Sequence, residues 1–143
     1  MANRFWLNPV FTNIYDWISP ASNLGQRGER LAERLLLRQG MQVVDRGYSE
    51  KFGEIDLIAI DVRTVVFVEV KTRTSDVAGS AVEAVDDQKQ EKISRVAAAY
   101  LKRHGLLECR SRFDVVSIEL GDASKSFAQP QIRHYENAFE STY

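Results

Sequence analysis

The sequence has little of what several common kinds of functional site require. Its 143 residues include one cysteine, Cys109, which excludes an intrachain disulfide, and two histidines, His104 and His134, that lie far apart. The sequence shows no internal repeat, no glycine-rich nucleotide loop and no serine-hydrolase motif. It also has no signal-peptide hydrophobic region and no apolar run long enough to cross a bilayer. We therefore expect a cytoplasmic protein that has no membrane partner.

An excess of charge of one sign is also missing. The formal net charge is −1, from 19 Lys and Arg against 20 Asp and Glu, which weighs against strong sequence-independent DNA binding. The arginines Arg27, Arg30, Arg34 and Arg38 nevertheless recur at helical spacing. They predict either a basic surface or an ordinary solvated helix face.

What is present is charge inside two apolar runs. Residues 54–60 and 65–71 are short and rich in β-branched residues, so they predict two strands joined by a four-residue loop as an antiparallel hairpin. If the hairpin is symmetric about Val62 and Arg63, Asp56 lies opposite Glu69. Strict alternation then places four charged side chains on one face of the hairpin: Glu54, Asp56, Glu69 and Lys71.

Two opposed carboxylates in a strand pair repel each other, and a divalent cation relieves that repulsion. Mg²⁺ prefers oxygen ligands and keeps several waters when one or two carboxylates bind it. We therefore predict Asp56 and Glu69 as ligands of Mg²⁺ or Mn²⁺. Lys71, two residues beyond Glu69, is predicted to reach a water or a phosphate beside the metal. The alternative is a buried ion pair of Lys71 with Glu54 or Glu69.

The spacing of Asp56, Glu69 and Lys71 resembles the PD-(D/E)xK nuclease superfamily, and the chain as a whole resembles the YraN-like family of predicted bacterial endonucleases. Ile55 stands where the superfamily signature has a proline. The resemblance spans about residues 23–139. It rests on five stretches: Gly25–Glu29, Gly53–Ala59, Phe67–Arg73, Arg112–Val116 and Asn137–Phe139.

The resemblance implies an α/β, restriction-endonuclease-like fold, with a mixed central β-sheet flanked by α-helices. It also implies Glu29, on the first helix, as a third acidic ligand; the alternative is a solvated surface glutamate. For nucleic-acid binding we predict Arg73, Lys89 and Gln88, although a polar pair in a first helical turn is often simply solvated.

The remaining elements follow from their end signals. A helix is predicted over residues 24–39, capped by Asn23 and ended by Gly40, with a ridge of Gly25, Gly28 and Ala32 that allows close approach to the sheet. A second helix is predicted from Asp87 to His104, with capping-box spacing from Asp87 to Gln90 and with Gly105 ending it. Residues 112–120 predict a strand whose Asp114 pairs with Arg73 or Arg112. Residues 121–130 predict a polar loop, and residues 131–135 a short edge strand.

Residues 1–22 predict an N-terminal amphipathic helical extension to a domain of residues 23–143. This helix is expected to pack on the domain or to form a homodimer; its lack of a basic polar face makes membrane contact the weakest alternative.

The sequence thus favours a metal-dependent endonuclease acting on structured or branched DNA. The alternatives are a catalytically silent nucleic-acid-binding module and a protein-interaction module on the same fold.

Overall fold

Five strands and two helices make up the part of the chain that the structure describes. A computed structural model describes residues 24–74, 84–120 and 129–143. The predicted N-terminal extension, the Asn23 cap and most of the 121–130 loop lie outside these ranges. The elements in chain order are α1 (Leu24–Arg38), β1 (Gln42–Glu50), β2 (Gly53–Asp61), β3 (Thr64–Thr74), α2 (Asp87–Arg103), β4 (Arg110–Leu120) and β5 (Gln131–Phe139).

The strands form one mixed sheet in the order β1-β2-β3-β4-β5. Neighbouring strands are antiparallel except β3 and β4, which are parallel and are connected through α2. A parallel pair needs such a crossover because its strands start at the same end of the sheet. The α/β class and the mixed sheet are as predicted. Strand β1 was not predicted, because its sequence QVVDRGYSE mixes polar residues with a glycine and lies at an exposed edge.

The two helices cover opposite faces of the sheet. On α1, Gly28, Ala32 and Leu36 recur every four residues and are buried, and Ala32 and Leu36 pack with one set of sheet side chains that includes Leu57 and Val68. On the other face, α2 residues pack with sheet residues such as Ile55 and Phe67: Ile93, Val96, Ala97 and Tyr100. Within the described ranges, no helix is both long and apolar enough to cross a membrane.

The helix ends follow the predicted glycines. Gly40 and Gly105 have positive φ angles of 86° and 67°, a conformation that favours glycine after a helix. The predicted capping box at Asp87 is wrong by one residue. Asp86 is the N-cap, and its carboxylate accepts a hydrogen bond from the backbone N–H of Lys89 at 2.8 Å.

Gly28 is where α1 comes closest to β3. A Cβ atom added to Gly28 would overlap Oγ1 of Thr72 and lie 3.1 Å from the Thr72 Cβ. Gly28 and Ala32 are buried, whereas Gly25 is exposed. The predicted close-approach ridge therefore holds for Gly28 and Ala32.

We expect Gly28→Ala to lower the free energy of unfolding by about 1–3 kcal/mol through overpacking, even though alanine improves helix propensity by about 1 kcal/mol. The measurement is denaturant unfolding. Thr72→Ala in the same chain should recover part of the loss, because it removes the overlapping hydroxyl. Gly25→Ala, the exposed control in the same helix, should be neutral or stabilising; a loss equal to that of Gly28→Ala would contradict the steric explanation.

Asp114 is a fully buried carboxylate on β4. It accepts hydrogen bonds from Arg112 Nε at 3.0 Å, His134 Nε2 at 2.7 Å and the backbone N–H of Asn137 at 3.0 Å. Burial acts to raise the pKa of Asp114, but these hydrogen bonds outweigh it and lower the pKa. The predicted pairing with Arg112 is confirmed. His134 and Asn137 belong to β5, so Asp114 also holds the edge strand β5 to β4 through hydrogen bonds. Strand β5 extends to Phe139, beyond the predicted residues 131–135.

Candidate functional site

The β2–β3 hairpin has the predicted register. Paired residues run from Asp61 with Thr64 to Leu57 with Val68, so the turn itself is only two residues long. The recorded pairs stop one position before Asp56 and Glu69. The backbone N–H of Val70 donates to Oδ2 of Asp56 at 2.8 Å. The side chain of Asp56 on β2 therefore binds the backbone of β3 just beyond the last backbone pair of the hairpin, Leu57 with Val68.

Strand β2 is irregular at Asp56. Ile55 packs in the core on the α2 face and Leu57 in the core on the α1 face, whereas residues two apart in a regular strand share one face. The prediction of strict alternation through Glu54, Asp56 and their partners is therefore wrong on β2. The irregularity places Asp56 where the strand changes faces.

The neighbouring edge strand changes faces at the matching place. Arg46 forms an ion pair with Glu33 of α1, whereas the ring of Tyr48 packs edge-on against Tyr100 of α2, with centroids 4.9 Å apart. Gly47 between them has a φ of 58°, which an L side chain rarely adopts. Because Arg46 pairs with Leu57 and Tyr48 with Ile55, Gly47 and Asp56 face each other across the two strands.

The pKa of the Asp56 carboxyl is strongly raised in the folded protein. Burial and the charge of Glu69, with a smaller contribution from Glu29, raise the pKa of Asp56 to about 7, against the opposing effect of the Val70 N–H. A carboxyl with ordinary surroundings ionises near pH 4. Keeping Asp56 charged at neutral pH therefore calls for an added positive charge beside it.

Glu69 is almost completely buried, with 6% of its surface exposed. Its Oε1 atom lies 3.3 Å from Nζ of Lys71 and 3.4 Å from Nζ of Lys89. The alternative of a buried ion pair thus describes Lys71 and Glu69 correctly. It does not account for Asp56, whose pKa remains raised in spite of the charge of Lys89.

Glu29 reaches the same region from α1. It is partly buried, and burial followed by the charges of Glu54 and Glu69 raises its pKa. Glu54 is exposed and accepts a hydrogen bond from Ser49 Oγ at 3.2 Å. Carboxylates from α1 and from the sheet therefore act on one another electrostatically at this site: Glu29, Glu54, Asp56 and Glu69. All of them except Glu54 were predicted as metal ligands.

The donor set fits a hard divalent cation of the magnesium type. In residues 24–74, 84–120 and 129–143, no three Asp, Glu, His or Cys side chains converge into a complete ligand set. Two carboxylates are nevertheless enough for Mg²⁺, which keeps most of its water shell. The repulsion that raises the pKa of Asp56 is also what a cation between Asp56 and Glu69 would relieve.

The three residues predicted to contact nucleic acid lie in different surroundings. Lys89 is at the site, through its contact with Glu69. Gln88 is exposed in the first turn of α2, and Arg73 is partly buried two residues beyond Lys71 on β3. The meeting of Lys89 with Glu69 has no local sequence signal other than the placement of Lys89 in the first turn of a helix.

Comparison with known proteins identifies relatives over most of the chain. The profile of the Uncharacterised protein family UPF0102 matches residues 28–118. A UPF0102 protein of Rhodococcus jostii is 46% identical over 116 residues, covering 81% of this chain and 95% of the relative. A UPF0102 protein of Rhodopirellula baltica is 42% identical over 147 residues, covering 95% of this chain and 86% of the relative.

The matched segment contains all the predicted site residues: Glu29, Asp56, Glu69, Lys71, Arg73, Gln88 and Lys89. With a family profile over more than half of the chain and relatives above 40% identity, the chain belongs to the UPF0102 family, which is the YraN-like family.

Proposed function

We propose that this protein is a metal-dependent endonuclease that hydrolyses phosphodiester bonds in DNA, on a restriction-endonuclease-like fold. The observation that carries the proposal is the carboxyl pair of Asp56 and Glu69, in which burial and mutual repulsion raise the pKa of Asp56 to about 7. A buried arrangement of this kind costs free energy unless a cation or a proton compensates it.

Asp56 and Glu69 are the residues that would hold Mg²⁺ or Mn²⁺, with Glu29 contributing directly or through water. A bound divalent ion supplies a water of lowered pKa and neutralises charge that develops on the phosphate. Asp56 and Glu69 would hold the ion in a largely buried site, where electrostatic interactions are stronger than in water.

Lys71 is the proposed cationic partner of the reacting phosphate. Its ammonium lies 3.3 Å from Glu69 and keeps 28% of its side-chain surface exposed, so it borders both the carboxylate pair and solvent. From this position it can donate a hydrogen bond to a phosphate oxygen or orient the attacking water. Water then attacks phosphorus, the bond from phosphorus to the leaving sugar oxygen breaks, and that oxygen takes up a proton.

The test is Mg²⁺-dependent and Mn²⁺-dependent cleavage of labelled single-stranded, duplex and branched DNA. We expect Glu69→Gln to reduce the cleavage rate by about a hundredfold or more, because it removes a charged group that acts on the reacting centre. Glu91→Gln is the matched control, since Glu91 is exposed on α2 and should leave the rate unchanged.

The same assay separates the proposal from its alternatives. DNA binding without cleavage by the wild-type protein would indicate a catalytically silent nucleic-acid-binding module. Absence of both cleavage and DNA binding in the wild-type protein would indicate a protein-interaction module. The combination of Asp56, Glu69 and Lys71 favours the nuclease over a silent binding module, because phosphate binding alone needs cations and has no use for a pair of carboxylates beside them.

A further inference from the structure

Two lysines from different elements neutralise one buried carboxylate oxygen. Lys71 lies on β3, the strand that carries Glu69, whereas Lys89 reaches Glu69 from the first turn of α2. Both ammonium groups lie within 3.4 Å of Oε1 of Glu69. Glu69 therefore has two cationic partners, which reach it from different layers of the fold.

The two lysines differ in how freely they can leave Glu69. The side chain of Lys89 is 40% exposed and that of Lys71 is 28% exposed. The backbone of Lys89 is fixed by its hydrogen bond to the Asp86 N-cap, but its four-carbon stem is long and flexible. The charge of Lys89 also acts on Asp56, where it opposes the larger effects of burial and of Glu69 that raise the pKa of Asp56. Lys89 therefore interacts with both predicted metal ligands.

We propose that Lys89 is a displaceable counter-ion. In the metal-free protein its ammonium partly offsets the negative charge of Asp56 and Glu69, and when a divalent cation binds, the ammonium moves out to hold a DNA phosphate beside the site. This inference rests on the proposed function, because it assumes that Asp56 and Glu69 bind the metal.

Displacement of Lys89 from Glu69 couples the binding of the metal ion to the binding of DNA. A DNA phosphate that attracts Lys89 removes a competitor of the metal, so DNA strengthens metal binding and the metal strengthens DNA binding by the same factor. A lysine that only stabilises the fold adds nothing to the coupling that the metal and the phosphate have through their own attraction. Lys92 is a matched control, because it is exposed on α2, within one turn of Lys89.

The experiment measures Mn²⁺ binding to the full chain without nucleic acid, from the electron paramagnetic resonance signal of the free ion. Because one competing charge a few ångströms from the site is lost, we expect Lys89→Met to lower the Kd for Mn²⁺ by about tenfold. Lys92→Met removes the same charge and should leave the Kd unchanged. Glu69→Gln should abolish tight binding.

Repeating the titration with duplex DNA, after subtracting the ion bound by DNA alone, tests the coupling. DNA should lower the Kd for Mn²⁺ by a larger factor in the wild type and in Lys92→Met than in Lys89→Met, where only the direct attraction between the metal and the phosphate remains. Equal Kd values for wild type and Lys89→Met without DNA would overturn this inference alone, as would equal coupling in the two proteins. Absence of Mn²⁺ binding in every protein, including Lys89→Met, would overturn the metal site itself and the proposed function with it.

Discussion

Asp56→Asn is expected to reduce the proposed metal-dependent DNA cleavage strongly and, at the same time, to stabilise the metal-free protein above neutral pH. The asparagine keeps an oxygen that can accept from the Val70 N–H, but it carries no charge to repel Glu69. The loss of a metal ligand should lower the cleavage rate by about a hundredfold to a thousandfold. Stability and activity are therefore expected to change in opposite directions.

The pH dependence follows from the raised pKa of Asp56. In the folded protein the pKa is about 7, against 3.8 for an unperturbed aspartate, so between these values the folded state binds more protons than the unfolded state. The free energy of unfolding of the metal-free protein should therefore fall as pH rises from about 4 to about 8, by at most about 4 kcal/mol. Asp114, whose pKa is lowered, contributes at lower pH, where protonation removes its stabilising effect.

Denaturant unfolding at several pH values, with and without Mg²⁺, checks this prediction. Asp56→Asn should flatten the pH dependence, whereas Asp45→Asn on β1, the control, should retain it. In the wild type, Mg²⁺ at a hundredfold excess over its Kd should restore about 2.7 kcal/mol. An Asp56→Asn variant that follows the same pH profile as the wild type would show that Asp56 is not the group that titrates.

Asp114→Ala is expected to cause the largest loss of stability of any single substitution proposed for this protein. The change leaves the Arg112 side chain, which is 17% exposed, and the His134 ring without the carboxylate that both bind. Breaking a buried pair by removing one partner costs about 3–5 kcal/mol. The β5 strand also loses its anchor, because the Asn137 N–H donates to the same carboxylate.

Asp61→Ala is the matched control for this substitution. Asp61 accepts from the same arginine at 2.9 Å, but its side chain is 31% exposed, so its loss should cost about 1 kcal/mol or less. Both variants are compared by thermal and denaturant unfolding, and hydrogen exchange of β5 amides reports on the edge strand. Equal losses in the two variants, or unchanged exchange in β5, would show that Asp114 does not fasten β5 in the proposed way.

The parts of the fold that were predicted correctly depend on neighbours in sequence. The register of the β2–β3 hairpin follows from a short turn between two apolar runs, and it holds from Leu57 to Val68. Helices α1 and α2 end at Gly40 and Gly105 because a glycine readily adopts the left-handed conformation after a helix. Gly28 and Ala32 were predicted to allow close approach because both are small.

The errors arise where neighbouring strands and layers decide the outcome. The change of face at Asp56 depends on Gly47 in the adjacent strand, so the period-two pattern within β2 does not show it. Strand β1 is an edge strand of mixed polarity, and its pairing with β2 is what makes it a strand.

The sequence by itself determined that charged residues stand inside apolar strands, and which residues these are: Asp56, Glu69 and Lys71. Only the tertiary structure decided that Lys89 meets Glu69 from another layer and that burial raises the pKa of Asp56 to about 7. The physical reason is the distance along the chain over which each effect acts. Strand period and turn length act over a few residues of chain, whereas desolvation and the field of distant charges depend on how α1, α2 and the sheet pack together.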